Sequence, residues 1–229
     1  MSEYGYIEKN CLDIADEIRA LGDAAERKIT LVAVTKSGTD EELLALAAAG
    51  VTDIGENRPG ELRRRADLLR EAGFTPALHE IGNLQRNKVK LIIESVTLIH
   101  SLDNQALANE IDKQAQRVSR KVPVLIEINS AREPQKDGVL PEDAESFLES
   151  ISALDGIEVV GLMTMGPVCE DAEDCRPYFK LTKELFDTLN AKYRFRDGGI
   201  LSMGMSDSYK VAIEEGATLV RIGRKFFKK

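Results

Sequence analysis

From residue 29 onward the chain alternates between short apolar runs and longer segments whose apolar residues recur at helical spacing. The runs ITLVAVT (29–35), VTDIG (51–55), ALHEIG (77–82), VTLIHS (96–101), VPVLIEINS (122–130), IEVVGLMTM (157–165), GGILSMG (198–204) and TLVRIG (218–223) read as strands. Most are nearly continuous in apolar residues rather than alternating. A strand buried on both faces of a parallel sheet has that pattern. Between them lie helical segments. Thr39 is placed to cap ELLALAAAG, with Gly50 as its stop. ELRRRADLLREAG ends at Gly73, and LQRNKVKLIIE is a further helix. Asp103 starts NQALANEIDKQAQRVS and Pro141 opens EDAESFLESISAL. YFKLTKELFDTLNAKY follows, and Ser206 is placed to cap DSYKVAIEEG. Ahead of all these, residues 3–21 form an amphipathic helix with Ile7, Cys11, Ile14 and Ile18 on one face.

Eight strands, each but the last followed by a helix, predict an α/β protein: a (β/α)8 TIM barrel with an extra N-terminal helix. The competing arrangement is an open doubly wound sheet. No internal repeat, low-complexity tract or linker divides the chain, so residues 1–229 are expected to form one domain. The two longest loops, 131–138 and 166–177, belong to its rim.

Composition narrows the function. Against 31 basic side chains stand 39 acidic ones, a net charge of −8. That argues against nucleic acid and against anionic membranes as partners. The longest apolar stretch, Leu43 to Ala49, is far too short to span a bilayer. Three cysteines, Cys11, Cys169 and Cys175, with no C-x-x-C spacing and no leader-like start, fit a reduced cytoplasmic protein. Cys169 and Cys175 flank an acidic segment expected to be an exposed surface loop. With two histidines and no paired Cys/His spacing, no metal site is expected. P-loop, G-x-G-x-x-G and G-x-S-x-G motifs are absent.

A barrel does its chemistry at the C-terminal ends of its strands. Lys36 closes the first. Partial desolvation there would leave an amine able to capture a carbonyl; the alternative is a stem along the barrel with its head in water. Ser206 and Gly223, after strands seven and eight, lie where this fold commonly holds a phosphate. The alternative reading makes Ser206 only a helix cap and Gly223 only a turn residue. Together with Lys36 they describe a phosphorylated carbonyl ligand: a sugar phosphate or pyridoxal 5′-phosphate (PLP). Arg221 either faces a pyridine nitrogen, to which it can only donate, or pairs with a helix carboxylate. His79 and His100 read as satisfied core or rim residues, and Met163, Met165, Met203 and Met205 as core and pocket wall. Arg63, Arg64 and Arg65 read as a solvated helix face.

The segments LVAVTK (31–36), GEN (55–57), HSLD (100–103), VLIEIN (124–129), GLMTM (161–165), LSMGMS (201–206) and VRIG (220–223) resemble the pyridoxal phosphate homeostasis proteins. These are single-domain relatives of the alanine racemase barrel. The resemblance covers nearly the whole chain. It implies that Lys36 carries PLP as a Schiff base and that Asn57 lies against the cofactor. Ser206, Gly223 and Arg224 surround the phosphate, with Ser202 and Met203 near by, and Arg221 faces the pyridine nitrogen. Three departures stand out. Arg224 replaces a frequent threonine, Arg58 a frequent tyrosine, and the chain closes on KFFKK.

Three functions follow, in order of support. The first is a PLP-binding protein that holds and delivers the cofactor, to apo-enzymes as candidate recipients, acting as a monomer without catalytic turnover. The second is a PLP-dependent amino acid racemase. It needs a second base opposite the lysine, which racemases of this type take from an added domain; here the chain ends with the barrel. The third is a Schiff-base aldolase on a sugar phosphate. That chemistry needs carboxylates around the lysine, where the strand ends show mainly Asn, Ser and Gly.

Overall fold

The computed structural model describes residues 4–167 and 170–229. All eight apolar runs are strands: β1 Thr30–Val34, β2 Asp53–Glu56, β3 Ala77–Glu80, β4 Leu98–Leu102, β5 Val122–Ile128, β6 Ile157–Thr164, β7 Ile200–Ser202 and β8 Leu219–Ile222. Each pairs in parallel with the next, and β8 pairs with β1 through Thr30–Leu219 to Ala33–Ile222. That last pairing closes the barrel and excludes the open doubly wound sheet.

Two apolar layers hold it. Val32, Leu98, Leu125, Val160, Met163 and Leu219 fill the interior. Outward residues such as Ala33, Ile126, Leu162, Leu201 and Val220 pack beneath the helices. These are α1 Gly5–Ala24, α2 Asp40–Ala48, α3 Pro59–Glu71, α4 Gln105–Arg117, α5 Ala144–Ile151, α6 Arg176–Tyr193 and α7 Tyr209–Glu214. Helix α1 buries Ile7, Cys11, Ile14 and Ile18, the expected face. Thr39 caps α2 in a reciprocal box with Glu42.

Several boundaries differ from the expectation. The segment after β3 is one 3₁₀ stretch, Arg86–Leu91, without a side-chain cap. Val89 within it and Ile92 and Ile93 just after it are buried, and β-branched side chains favour an α-helix less. Asn104, not Asp103, caps α4, accepting from the Leu107 amide at 2.9 Å. Pro141 opens a 3₁₀ turn, Pro141–Asp143, that leads into α5. Ser206 does not cap α7, which begins three residues later after Ser208. Strand β7 is short because Gly199 and Gly204, both at φ near +90°, bracket it in conformations that favour glycine. Cys175 is buried rather than exposed; Cys169 lies outside the described residues. Among the described residues no helix is long and apolar enough to cross a membrane.

Candidate functional site

Inward positions of the strands pair an apolar residue with a polar one two places on: Leu98 with His100, Leu125 with Glu127, Ile200 with Ser202, Leu219 with Arg221. Period-two alternation puts each pair on one face. The apolar members pack in the interior, and the polar members form a layer above them. At the centre of that layer Arg221 is buried. Its guanidinium donates to Ser202 Oγ at 2.5 Å and to the Thr164 carbonyl at 3.1 Å. It also lies 3.4 Å from Met165 Sδ, whose residue is 40% exposed. The guanidinium therefore stands level with the C-terminal end of β6, beneath the mouth. Burial lowers the Arg221 pKa to about 10, against the pull of Glu127, so it stays protonated at neutral pH.

Lys36 is solvent-exposed, two residues beyond the end of β1. The expected desolvation is not present: burial ends at Thr35, whose hydroxyl turns in to Glu56, and the next residue is exposed. What is fixed is its loop. Arg65 reaches from α3 and donates to the Thr35 carbonyl at 2.6 Å and the Gly38 carbonyl at 2.8 Å. It also pairs with Glu56 at 3.1 Å, and Glu56 accepts from Thr35 Oγ1 at 2.5 Å. Arg65 is thus a buried clamp on the lysine loop, not part of a solvated arginine face. Asn57 is exposed on the neighbouring loop. A Cβ at Gly82 would lie 2.4 Å from its carbonyl oxygen, so glycine lets the β2 and β3 ends converge.

The end of β8 meets β1, and the loop after β7 joins it there through Ser206. Gly223 lies so close to Val34 that a Cβ would sit 3.1 Å from the Val34 carbonyl oxygen. Its amide donates to Ser206 Oγ at 3.3 Å. Ser206 therefore joins the two loops instead of capping α7. Arg224 is exposed and pairs with Asp207 across the same two loops. Ser202 and Met203 are both fully buried: Ser202 supports Arg221 from below, and Met203 packs outward in the core. So Lys36, Asn57, Ser206, Gly223 and Arg224 share the rim, Arg221 lies under it, and Ser202 and Met203 lie deeper.

The sequence reading missed several polar residues. Glu127 is a carboxylate in the polar layer. Burial and Asp103 push its pKa up to about 7, with Arg221 opposing. Its charged neighbours are Asp103, Arg221 and Asp137 rather than Lys36. Glu80, on the outer face of β3, is lifted to about 8 by burial, against the Gly82 amide that bonds it at 3.2 Å. The histidines form a buried chain. His100 Nδ1 lies 3.0 Å from Ser202 Oγ, His100 Nε2 lies 3.0 Å from His79 Nδ1, and His79 Nε2 lies 3.1 Å from Asp53 Oδ1. A period-two reading of β4, β5 and β7 together would have placed His100, Glu127 and Ser202 on one interior layer.

The profile of the family described as alanine racemase, N-terminal domain, matches residues 10–228. The pyridoxal phosphate homeostasis protein of Aquifex aeolicus is 42% identical over 197 residues, 86% of this chain and 85% of that one. The chain therefore belongs to the pyridoxal phosphate homeostasis proteins. Two solved structures share the barrel throughout. A protein of unknown function from Bifidobacterium adolescentis matches with TM-score 0.88 and 34% identity, over 98% of this chain and 95% of that one. PipY of Synechococcus elongatus, solved with PLP bound, matches with TM-score 0.83 and 26% identity, over 97% and 100%.

Proposed function

We propose that this barrel binds pyridoxal 5′-phosphate at its C-terminal mouth, on Lys36, and holds and delivers the cofactor without turning over amino acids. The observation that carries this reading is the closeness of Gly223 to Val34. It brings the Ser206–Gly223 pair to the strand end that leads into Lys36, so an amine and a phosphate cup share one rim. A side chain at 223 would press on Val34 and push these two strand ends apart. PLP, when bound, supplies an aldehyde that a lysine amine captures reversibly.

The chain's own residues divide the work. Lys36 presents the amine, on a loop pinned by Arg65. Ser206 and Gly223 hold the phosphate, with Asn57 on the loop after β2, beyond Lys36. Arg224, paired with Asp207, stands beside the cup where relatives often carry threonine. Arg221 donates toward the ring nitrogen. A guanidinium has no acceptor and stays charged, so it leaves that nitrogen unprotonated and the ring a weak electron sink.

The relatives' shared name supports a homeostasis role, and PipY with PLP supports the cofactor. The five tyrosines, Tyr4, Tyr6, Tyr178, Tyr193 and Tyr209, all lie on or beside α1, α6 and α7, away from the strand ends where a racemase's second base would act. Glu127 adds a carboxylate to strand ends expected to show mainly Asn, Ser and Gly, and the charges that act on it are Asp103, Arg221 and Asp137. The whole chain acts as one domain and as a monomer in the cytoplasm, with PLP-requiring apo-enzymes as recipients. The odd cysteine count and the negative charge support that setting. The test is to incubate PLP-loaded protein with L-alanine in deuterated water and follow α-deuterium by NMR. The expected result is no enzymatic turnover. Incorporation near a typical enzyme's ~10 s⁻¹, lost in Lys36→Ala, would make it a racemase.

A further inference from the structure

The buried chain beneath the mouth spans the barrel. It runs from Arg221 through Ser202, His100 and His79 to Asp53, the first residue of β2, at the opposite end of the barrel. Ser202 and His100 are fully buried and His79 nearly so. Asp53 reaches the far side, its side chain 21% exposed on the wall of a groove under α1.

Its hydrogens can be placed from the two ends. Arginine has only donors, so Ser202 Oγ accepts from Arg221. At the other end burial works against ionisation of Asp53, but hydrogen bonds from His79 and Thr52 outweigh it and hold the carboxyl below its usual range. A carboxylate accepts, so His79 Nε2 donates. In a neutral His79, Nδ1 must then accept, and His100 Nε2 donates to it. In a neutral His100, Nδ1 must accept, and the Ser202 hydroxyl donates to it. Every donor points the same way, from the charged arginine to the charged aspartate, and no group in the series is left without a partner. Burial, with His79 and Arg221 adding to it, holds the His100 pKa well below its usual value, which keeps that ring neutral.

We propose that His100 is a positioning residue, the central link of a one-directional hydrogen-bond chain anchored by Asp53 that orients Ser202 and so holds Arg221 as a donor toward the ring-nitrogen position. The role at the ring nitrogen rests on the PLP reading above; the chain itself does not. Reversal of the chain would turn His100 Nδ1–H toward Ser202. The serine would then receive two donors, its own proton would lose the histidine acceptor, and the support under Arg221 would weaken. The direction is therefore set by a carboxylate at the far side of the barrel from the ligand.

The test uses the full-length protein without ligand. Long-range ¹⁵N–¹H correlation at pH 7 reports which ring nitrogen of each histidine carries hydrogen. The expected pattern is Nε2–H on both His79 and His100, with both Nδ1 atoms bare. Hydrogen on His100 Nδ1, or a doubly protonated His79, would overturn the proposal. A second measurement addresses the arginine. Arg221 Nη–H signals are expected to be slow and resolved in the wild type and averaged in Ser202→Ala; identical signals in both would remove the supporting role. A third uses Asp53→Ala, a substitution at a partly exposed strand start that leaves the interior packing in place. It is expected to mix the His79 and His100 tautomers and to weaken PLP binding about three- to tenfold, the size of one ordinary hydrogen bond. Unchanged tautomers and affinity would contradict the anchor. If wild-type protein binds no PLP, the functional reading fails, while the nitrogen pattern still decides the chain.

Discussion

Gly223 and Val34 are in contact across the seam of the barrel: a Cβ on residue 223 would stand 3.1 Å from the Val34 carbonyl oxygen and 3.3 Å from its Cβ. The β8 end is thereby pressed onto the strand end that leads into Lys36. Gly223→Ala must push these ends apart by a few tenths of an ångström while the fold survives. A cost of about 1 kcal/mol is expected, or a loss of about 2–4 °C in Tm for a domain of this size. PLP affinity should fall by more than stability does, because the cup itself moves. Calorimetry and fluorescence titration on one preparation check both. An affinity equal to wild type would mean that the cup does not depend on this contact.

Arg65 is the buried clamp on the Lys36 loop, with Glu56 as its counter-charge. Arg65→Ala leaves the Glu56 carboxylate buried and unpaired, which costs about 3–5 kcal/mol. Arg65→Lys keeps the charge but loses the planar fork that serves two carbonyls and a carboxylate together, so an intermediate loss is expected. Adding Glu56→Gln to Arg65→Ala should recover part of the stability. Urea unfolding of the three variants measures this, and no recovery in the double variant would show that the ion pair is not the source of the loss.

Glu80 sets a pH dependence. Its folded pKa is about 8, above the ordinary 4.5, so the folded chain retains a proton that the unfolded chain releases. Stability is then fully present below about pH 4.5 and falls as pH rises toward 8, at up to about 1.4 kcal/mol per unit. Glu80→Gln removes this slope. The variant should match wild type near pH 5 and exceed it near pH 9 in urea unfolding. Glu127 titrates in both proteins and cancels in the difference. A stability difference independent of pH would refute the assignment.

Ser206 accepts from the Gly223 amide and lies at the proposed phosphate cup. Ser206→Ala removes one bond to a charged group, worth roughly 1.5–3 kcal/mol, or about ten- to hundredfold in PLP affinity. Arg224→Ala should do less, since its guanidinium is exposed and already paired with Asp207. Isothermal titration of the two variants orders them, and a larger loss in Arg224→Ala would mean that this guanidinium leaves Asp207 for the phosphate.

What the sequence revealed depended on how local the cause was. Unbroken apolar runs mark strands buried on both faces, so all eight were legible, as was the face of α1 carrying Ile7, Cys11, Ile14 and Ile18. Thr39 was legible because its capping box closes within three residues. Ser206 was misread for the opposite reason: its partner is the amide of Gly223, seventeen positions away, and local preference suggested a cap. Arg65 looks like its neighbours Arg63 and Arg64 in a run of arginines. Only the turn of α3 buries it and leaves Arg64 at the surface with Asp40. His79 and His100 occupy strand positions that suit a core residue. Their bond to each other, and its continuation to Ser202 and Asp53, exists only once β2, β3, β4 and β7 close around one interior.

The central claim, a cofactor held on Lys36, is tested most directly by reducing PLP-loaded protein with borohydride and mapping the modified lysine by peptide mass spectrometry. The account predicts one phosphopyridoxyl group per chain, on Lys36, and none in Lys36→Ala. Another lysine on a strand-end loop is Lys136, after β5, which bonds Glu133 at 2.6 Å and the Gly166 carbonyl at 3.1 Å. A stoichiometric adduct on Lys136, or modification scattered over surface lysines and unchanged in Lys36→Ala, would contradict it.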